Sequence, residues 1–181
     1  MTRAIAALAL VLLTSCGTEP EPQGFNFAMQ WDHRPEAARW TRAAISESVS
    51  SNLVRVTPGD IESWCPAYTS ASDLDRAAFW SGTLSALARY ESTWNPKASG
   101  AGGRYHGLLQ ISPRTAQSAG CQGDLFTGRD NLACAVKIAS RQAGEGRPVA
   151  RILGDWGPMK SGAKRAEMAN WTRVQSYCRK S

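Results

Sequence analysis

Between Asp73 and Trp94, the residues Trp80, Leu84, Leu87 and Glu91 follow one another at steps of four, three and four, a spacing that aligns them on one stripe of an α-helix. Three of the four are large apolar side chains, so the stripe has to be buried. Pro96 keeps the helix from running far past Asn95. A carboxyl therefore sits on the core-facing side of a helix, near its C-terminal end. Burial disfavours the charged form and so does the negative end of the helix dipole, so both raise the pKa and favour a protonated acid near neutral pH. Such a group can hand a proton to a leaving oxygen. Two alternatives stand beside that reading: an ion pair with Arg89 or Arg104, or exposure at the edge of the stripe.

The remaining pattern is also helical. Helices are expected over Pro35 to Val49, Asp73 to Trp94, Pro113 to Ala119, Asn131 to Ala143, Pro148 to Leu153 and Ala163 to Tyr177, with a short turn near Pro58 to Trp64. Ser112 supplies a hydroxyl at an N-cap ahead of Pro113 at the first helical position, and Gly120 stands where a left-handed residue would stop that helix. In the last helix, Trp171, Val174 and Cys178 share one face. Lys97 to Ile111 breaks the helical pattern with a Gly-rich loop and an extended or hairpin segment, Tyr105 to Ile111. The fold class is thus mainly α, compact, with at most a short hairpin, and 181 residues leave room for one sizeable core.

The N-terminus indicates export. Arg3 is followed by ten apolar residues, Ala4 to Leu13, well short of the roughly twenty that cross a bilayer, so the segment reads as a signal peptide rather than a span. Leu13-Thr14-Ser15-Cys16 resembles a lipobox, which implies removal of residues 1–15 and lipidation of Cys16. Gly17, rather than Asp, then points to the periplasmic side of the outer membrane; the alternative is an ordinary cleaved signal and a soluble periplasmic protein. Pro20, Pro22 and Gly24 make residues 16–34 a tether, and the domain is expected over 35–181. With Cys16 lipidated, four cysteines remain in an oxidising compartment, which reads as two disulfides. Of three connectivities the favoured one pairs Cys121 with Cys134, a loop stapled to the next helix, and Cys65 with Cys178, the last helix tied to an early one. No metal is expected, because His33 and His106 lack ligand spacing with any cysteine.

Glu91-Ser92-Thr93-Trp94-Asn95-Pro96, followed by Gly107-Leu108-Leu109-Gln110-Ile111-Ser112-Pro113-Arg114-Thr115-Ala116, resembles the Glu-Ser-x-x-Asn-Pro and Gly-Leu-Met-Gln-Ile-x-Pro-x-Thr-Ala motifs of the soluble lytic transglycosylase family. Leu125 with Asn131-Leu132 and Ala135 resembles the family's third motif, with Thr127 and Gly128 in place of its Asp-Pro and Ala135 in place of its Gly. The resemblance covers roughly Phe79 to Ile138. It implies a lysozyme-like helical fold and cleavage of the β-1,4 bond between N-acetylmuramic acid and N-acetylglucosamine, with no cofactor. It places Glu91 as the catalytic acid and Ser92, Gln110 and Asn131 at the substrate cleft. The fourth motif, Ala-Tyr-Asn-x-Gly-Pro, is met only by Leu153-Gly154-Asp155-Trp156-Gly157-Pro158, which puts Gly154 where the family has a tyrosine. Trp156 or Tyr105 then fills that role from another direction, or the alignment there is wrong.

The resemblance further implies a mechanism with one carboxyl. The acid protonates the glycosidic oxygen, the substrate's own N-acetyl group stabilises C1, and the carboxylate takes a proton from the C6 hydroxyl as it attacks, leaving a 1,6-anhydromuramic end. No partner acid is evident near Glu91; Asp124, Asp130 and Asp155 lie in segments that reach a cleft, and Asp130 doubles as a helix-cap candidate. Trp94, Trp156 and Tyr105 are candidate sugar platforms or core residues. The net charge of +6 suits an anionic wall, and Lys160, Lys164, Arg165, Arg173, Arg179 and Lys180 read as a solvated face. The expected partners are peptidoglycan glycan strands and, through the N-terminal lipid, a membrane. No nucleic-acid-binding signature occurs. Two further readings stay open: a catalytically weak peptidoglycan-binding lipoprotein, and a hydrolytic muramidase.

Overall fold

The computed structural model describes residues 25–180; the expected signal peptide and Cys16 lie outside them. Seven α-helices occur among the described residues: α1 (Ala37–Val49), α2 (Ile61–Trp64), α3 (Asp73–Ser92), α4 (Pro113–Ala119), α5 (Gly128–Gln142), α6 (Val149–Ile152) and α7 (Gly162–Thr172). Between α3 and α4 lies one small hairpin, β1 (Ser99–Gly100) antiparallel to β2 (Tyr105–His106), with Ser99 opposite His106 and Gly100 opposite Tyr105. His106 also exchanges both backbone hydrogen bonds with Ile111, at 3.0 Å each way. The mainly α architecture with a short hairpin is the one expected from the sequence.

Helix α3 is the centre of the molecule. Every residue from Ala77 to Ala88 is buried, so this helix is enclosed on all sides rather than along one stripe. Its other faces carry Ala77, Ala78, Ser81, Gly82, Thr83 and Ser85, small enough for neighbouring elements to approach. Two of the internal hydroxyls are satisfied locally, Thr83 donating to Phe79 O at 2.9 Å and Ser85 to Gly82 O at 2.7 Å, while the Ser81 hydroxyl is buried without a partner. At the N-terminus Ser72 accepts from the Asp75 amide and donates to the Asp75 carboxylate at 2.7 Å, a reciprocal cap in the favourable field of the helix dipole. Helices α1 and α7 pack along α3, and α5 packs on α1.

Several boundaries move from their expected places, each for a local reason. The domain begins before residue 35. Met29 and Trp31 are buried in the core, the Gln30 amide donates to Ser85 Oγ at 2.9 Å, and the Trp31 indole donates to Thr41 at 2.9 Å. Residues 25–34, assigned to the tether, are therefore part of the folded unit. Helix α5 starts at Gly128, ahead of Asn131, because Thr127 is the residue whose hydroxyl accepts the Asp130 amide. Asp130 is not the cap; its carboxylate accepts from the Asp124 amide at 3.0 Å. Helix α7 stops at Thr172, whose hydroxyl donates to Trp64 O at 3.0 Å, and the chain turns to bring Cys178 to Cys65. Val174, expected on a buried face, is 59% exposed.

Both disulfides form in the favoured pairing. Cys65 and Cys178 have Cα atoms 4.5 Å apart across 113 positions of chain, and Cys121 and Cys134 are 5.2 Å apart, within the range a disulfide spans. Cys178 lies in the 3-10 turn beyond α7 rather than in the helix itself. The cap reading of α4 also holds: Ser112 accepts the Thr115 amide at 3.0 Å, and Gly120, at φ 68°, ends the helix in the left-handed conformation. Among the described residues no helix is long and apolar enough to cross a membrane.

Candidate active site

Glu91 occupies the last turn of α3 and is half-buried. Burial pushes its carboxyl up to about 7, against the opposing pull of the Lys164 ammonium on α7. The two groups considered as partners are engaged elsewhere. Arg89 donates to Glu167 on α7 at 2.7 Å, and Arg104 turns back to the carbonyl of Ala101. No hydrogen bond or ion pair reaches the Glu91 carboxyl among the described residues. The result is an acid whose charge is penalised by burial and only partly offset by the Lys164 ammonium, with no hydrogen bond or ion pair to hold it ionised.

The backbone beyond it is strained. Thr93 and Trp94 both adopt positive φ, 53° and 56°, a conformation that costs a non-glycine residue roughly 1–2 kcal/mol. Two features hold it in place. The Thr93 and Trp94 amides cap the carbonyls of Arg89 and Ala88, and the Trp94 indole donates to Ser85 O at 2.9 Å. Trp94 also meets His33 edge to face at 4.7 Å. This turn, rather than Pro96 alone, ends the helix at Ser92.

Ser92 links the helix end to the next wall. Its hydroxyl donates to Leu108 O at 2.8 Å and accepts from the Asn95 amide at 3.2 Å. The segment 106–110 is clamped from beneath by Asn131, which is fully buried. Asn131 donates to His106 O and Leu125 O, both at 2.9 Å, and accepts from the Leu109 amide at 2.9 Å. The Trp156 indole donates to Leu109 O at 2.8 Å. Gln110, itself at φ 46°, donates to Gly107 O at 2.9 Å and Ala98 O at 3.3 Å. Gly107 has φ 75°, and a Cβ there would collide with Leu125 O and the Asn131 amide. A side chain at that position would break the clamp.

Of the residues assigned to substrate, only Tyr105 is well exposed, at 42%. Asn131 and Trp156 are buried, so neither lies open to a sugar ring; they hold the loop that faces Glu91's helix end. Trp156 cannot stand in for the missing tyrosine at Gly154, because its indole N–H is taken by Leu109. Ser92 and Gln110 are half-buried and bonded to backbone. Asp124 serves its own loop, with Oδ1 accepting from the Phe126 amide at 2.9 Å.

Sequence reasoning missed the group of side chains joined by Lys164, the one charge acting on Glu91. The Tyr90 hydroxyl donates to Glu167, whose other oxygen takes Arg89, and Lys164 Nζ lies 4.9 Å from the Tyr90 ring centroid. Burial and the Glu167 contact raise the Tyr90 hydroxyl above its usual range. Lys164 and Glu167, three apart on α7, are the signal that points to this contact; the expected solvated face had absorbed Lys164. Among the described residues no three His, Cys, Asp or Glu side chains gather as a metal site.

Residues 70–144 match the family described as Transglycosylase SLT domain. Among solved structures, the chain is similar to "Bd0314 DslA wild-type form 2", at 25% identity over 84% of this chain and 98% of that one, with a TM-score of 0.69. A glutamate-to-glutamine mutant of Bd0314 DslA gives 25% identity, 83% and 97% coverage, and a TM-score of 0.72. No curated protein matches the chain significantly.

Proposed function

We propose that this chain, whose residues 70–144 match the Transglycosylase SLT domain family, is a lipid-anchored lytic transglycosylase acting on peptidoglycan, in which Glu91 is the single acid and base. The observation that carries this is the Glu91 carboxyl, half-buried, without an ion-pair partner, and pushed up to about 7. A group with that pKa is protonated often enough to donate and ionised often enough to take a proton back. It first protonates the glycosidic oxygen between N-acetylmuramic acid and N-acetylglucosamine. The substrate's N-acetyl group stabilises C1, and the carboxylate then removes the C6 hydroxyl proton as that oxygen closes on C1. Bond breaking and bond making balance without water, and the product carries a 1,6-anhydro end.

Two features support a one-carboxyl mechanism over the hydrolytic pair used by lysozyme-type enzymes. Glu167, the acid on the facing helix, is neutralised by Arg89 and bonded by Tyr90. Asp124 and Asp130 are tied into the 120–130 loop. The export reading rests on the Ala4 to Leu13 run and the lipobox-like Leu13 to Cys16, and it places the domain on the periplasmic side of the outer membrane. Its clamp residues Ser92, Gln110, Asn131 and Trp156 shape the cleft wall, while Tyr105 is left to touch sugar. Digestion of purified peptidoglycan, followed by mass measurement of the muropeptides, tests the proposal. Anhydro ends, lighter by one water, are expected; reducing ends alone would establish the hydrolase instead, and no release would leave a wall-binding protein.

A further inference from the structure

A second concave region lies between α1 and α5. One hollow of about 520 Å3 is bounded by Arg39 and Arg42 of α1, Arg129 and Lys137 of α5, and the Cys121–Cys134 disulfide. A neighbouring hollow of about 440 Å3 runs from the same Arg39 and Arg129 past Phe126 to Pro96 and Lys97. The two share Arg39, Arg129 and Asp130, so they form one trough. It starts six positions beyond Glu91 at Lys97 and continues to Lys137. From Gly128 to Lys137 it follows ten residues of α5, about 14 Å at the helical rise.

The charges along it are unequally satisfied. The guanidinium groups of Arg39 and Arg129 have no hydrogen-bond or ion-pair partner among the described residues, whereas Lys137 donates only to Gly120 O at 3.3 Å. Of the three acids in the lining, Asp130 is turned to the Asp124 amide and Glu47 lies at the far end. Glu36 lines the Lys97 end, and its Oε2 is buried without a hydrogen-bond partner. Free guanidinium groups call for carboxylates, and an orphaned carboxylate oxygen calls for a donor such as an ammonium.

We propose that this trough holds the peptide stem of peptidoglycan, its carboxylates on Arg39 and Arg129 and the ammonium of its diamino acid on Glu36. The proposal rests on the function given above, because the stem hangs from the muramic sugar whose bond is cut. The dimensions agree: four residues of extended chain span about 13 Å, close to the length of the α5 wall of the trough. An anionic lipid surface is the poorer occupant, since it is flat and the free charges lie in a concavity.

The test uses the full chain and a synthetic stem tetrapeptide, L-Ala–γ-D-Glu–meso-diaminopimelate–D-Ala, titrated by calorimetry. Saturable binding that weakens with added salt, and weakens further when the peptide's carboxylates are amidated, is expected. An Arg39→Glu/Arg129→Glu variant should lose roughly tenfold in affinity, and Arg39→Gln/Arg129→Gln less, with far-UV and near-UV circular dichroism unchanged. Equal binding by wild type and both variants overturns the proposal. So does displacement of the peptide by phosphatidylglycerol vesicles with the same loss in the variants, which would make the trough a lipid site. Cleavage of stem-free glycan strands is measured in parallel: cleavage without peptide binding overturns the trough alone, and peptide binding without any cleavage overturns the enzyme reading alone.

Discussion

The last turn of α3 and the loop it faces solve opposite problems. In residues 106–110 the polar groups are paired with care: Asn131 alone makes three hydrogen bonds there, and Trp156, Ser92 and Gln110 add more. At the end of α3, Glu91 is given no hydrogen-bond or ion-pair partner, although the Lys164 ammonium is close enough to act on its charge. The loop is held rigid so that one group can be left unsatisfied. A reactive acid needs walls that do not move, and a clamp made of buried amide and indole groups supplies them without placing charge beside the acid.

That contrast can be broken from either side. The largest effect is expected on the reactive side: Glu91→Gln keeps the volume, removes the acid, and should lower peptidoglycan cleavage by about a hundredfold or more, measured as muropeptide release. Undiminished release would remove Glu91 from the chemistry. On the clamp side, Asn131→Ala leaves the Leu109 amide and two carbonyls without partners, at a cost of about 2–4 kcal/mol and roughly 5–15 °C in melting temperature. Asn131→Asp should also destabilise, because it cannot donate to His106 O and Leu125 O. A clamp variant that melted normally yet lost activity would make Asn131 a substrate residue after all.

Smaller effects sharpen the same division. A carboxyl whose folded-state pKa is raised binds its proton more tightly in the native than in the unfolded chain. Stability therefore falls as pH rises between the usual glutamate value and about 7, and the loss is complete above that window. Allowing for partial exposure, Glu91→Gln should gain about 1–2 kcal/mol above pH 7 and nothing at pH 4, read from denaturant midpoints at the two pH values. Lys164→Met removes the one charge that favours the ionised form, so the alkaline limb of the pH–activity profile should move upward by a fraction of a unit. A downward move would mean that Lys164 acts through Tyr90 and Glu167 instead.

Local chemistry in the sequence made part of this legible. The cap at Ser112 with Gly120, and the spacing of Cys121 and Cys134, depend on neighbours in the chain, and the structure keeps them. The unusual position of Glu91 was visible because a charge interrupts an apolar period. What the sequence concealed depends on distant contacts. Trp156 looks the same whether it stacks on a sugar or donates to Leu109 O, 47 positions away. Residues 25–34 look like linker until Ser85 and Tyr177 are seen to bind them. The end of α7 is set by Trp64 and by the reach of Cys178 to Cys65, neither of which the pattern from Ala163 to Tyr177 encodes.

The Cys65–Cys178 bond turns everything from Pro66 to Tyr177 into a closed covalent loop, and Glu91, Tyr105, Gln110, Asn131 and Trp156 all lie inside it. A protease that severs one exposed peptide bond, for instance in the turn at residues 101–104, opens the loop without producing two pieces. The helix bearing the acid and the wall opposite it stay on one molecule after such a wound, and only a second cut can cast part of the site loose.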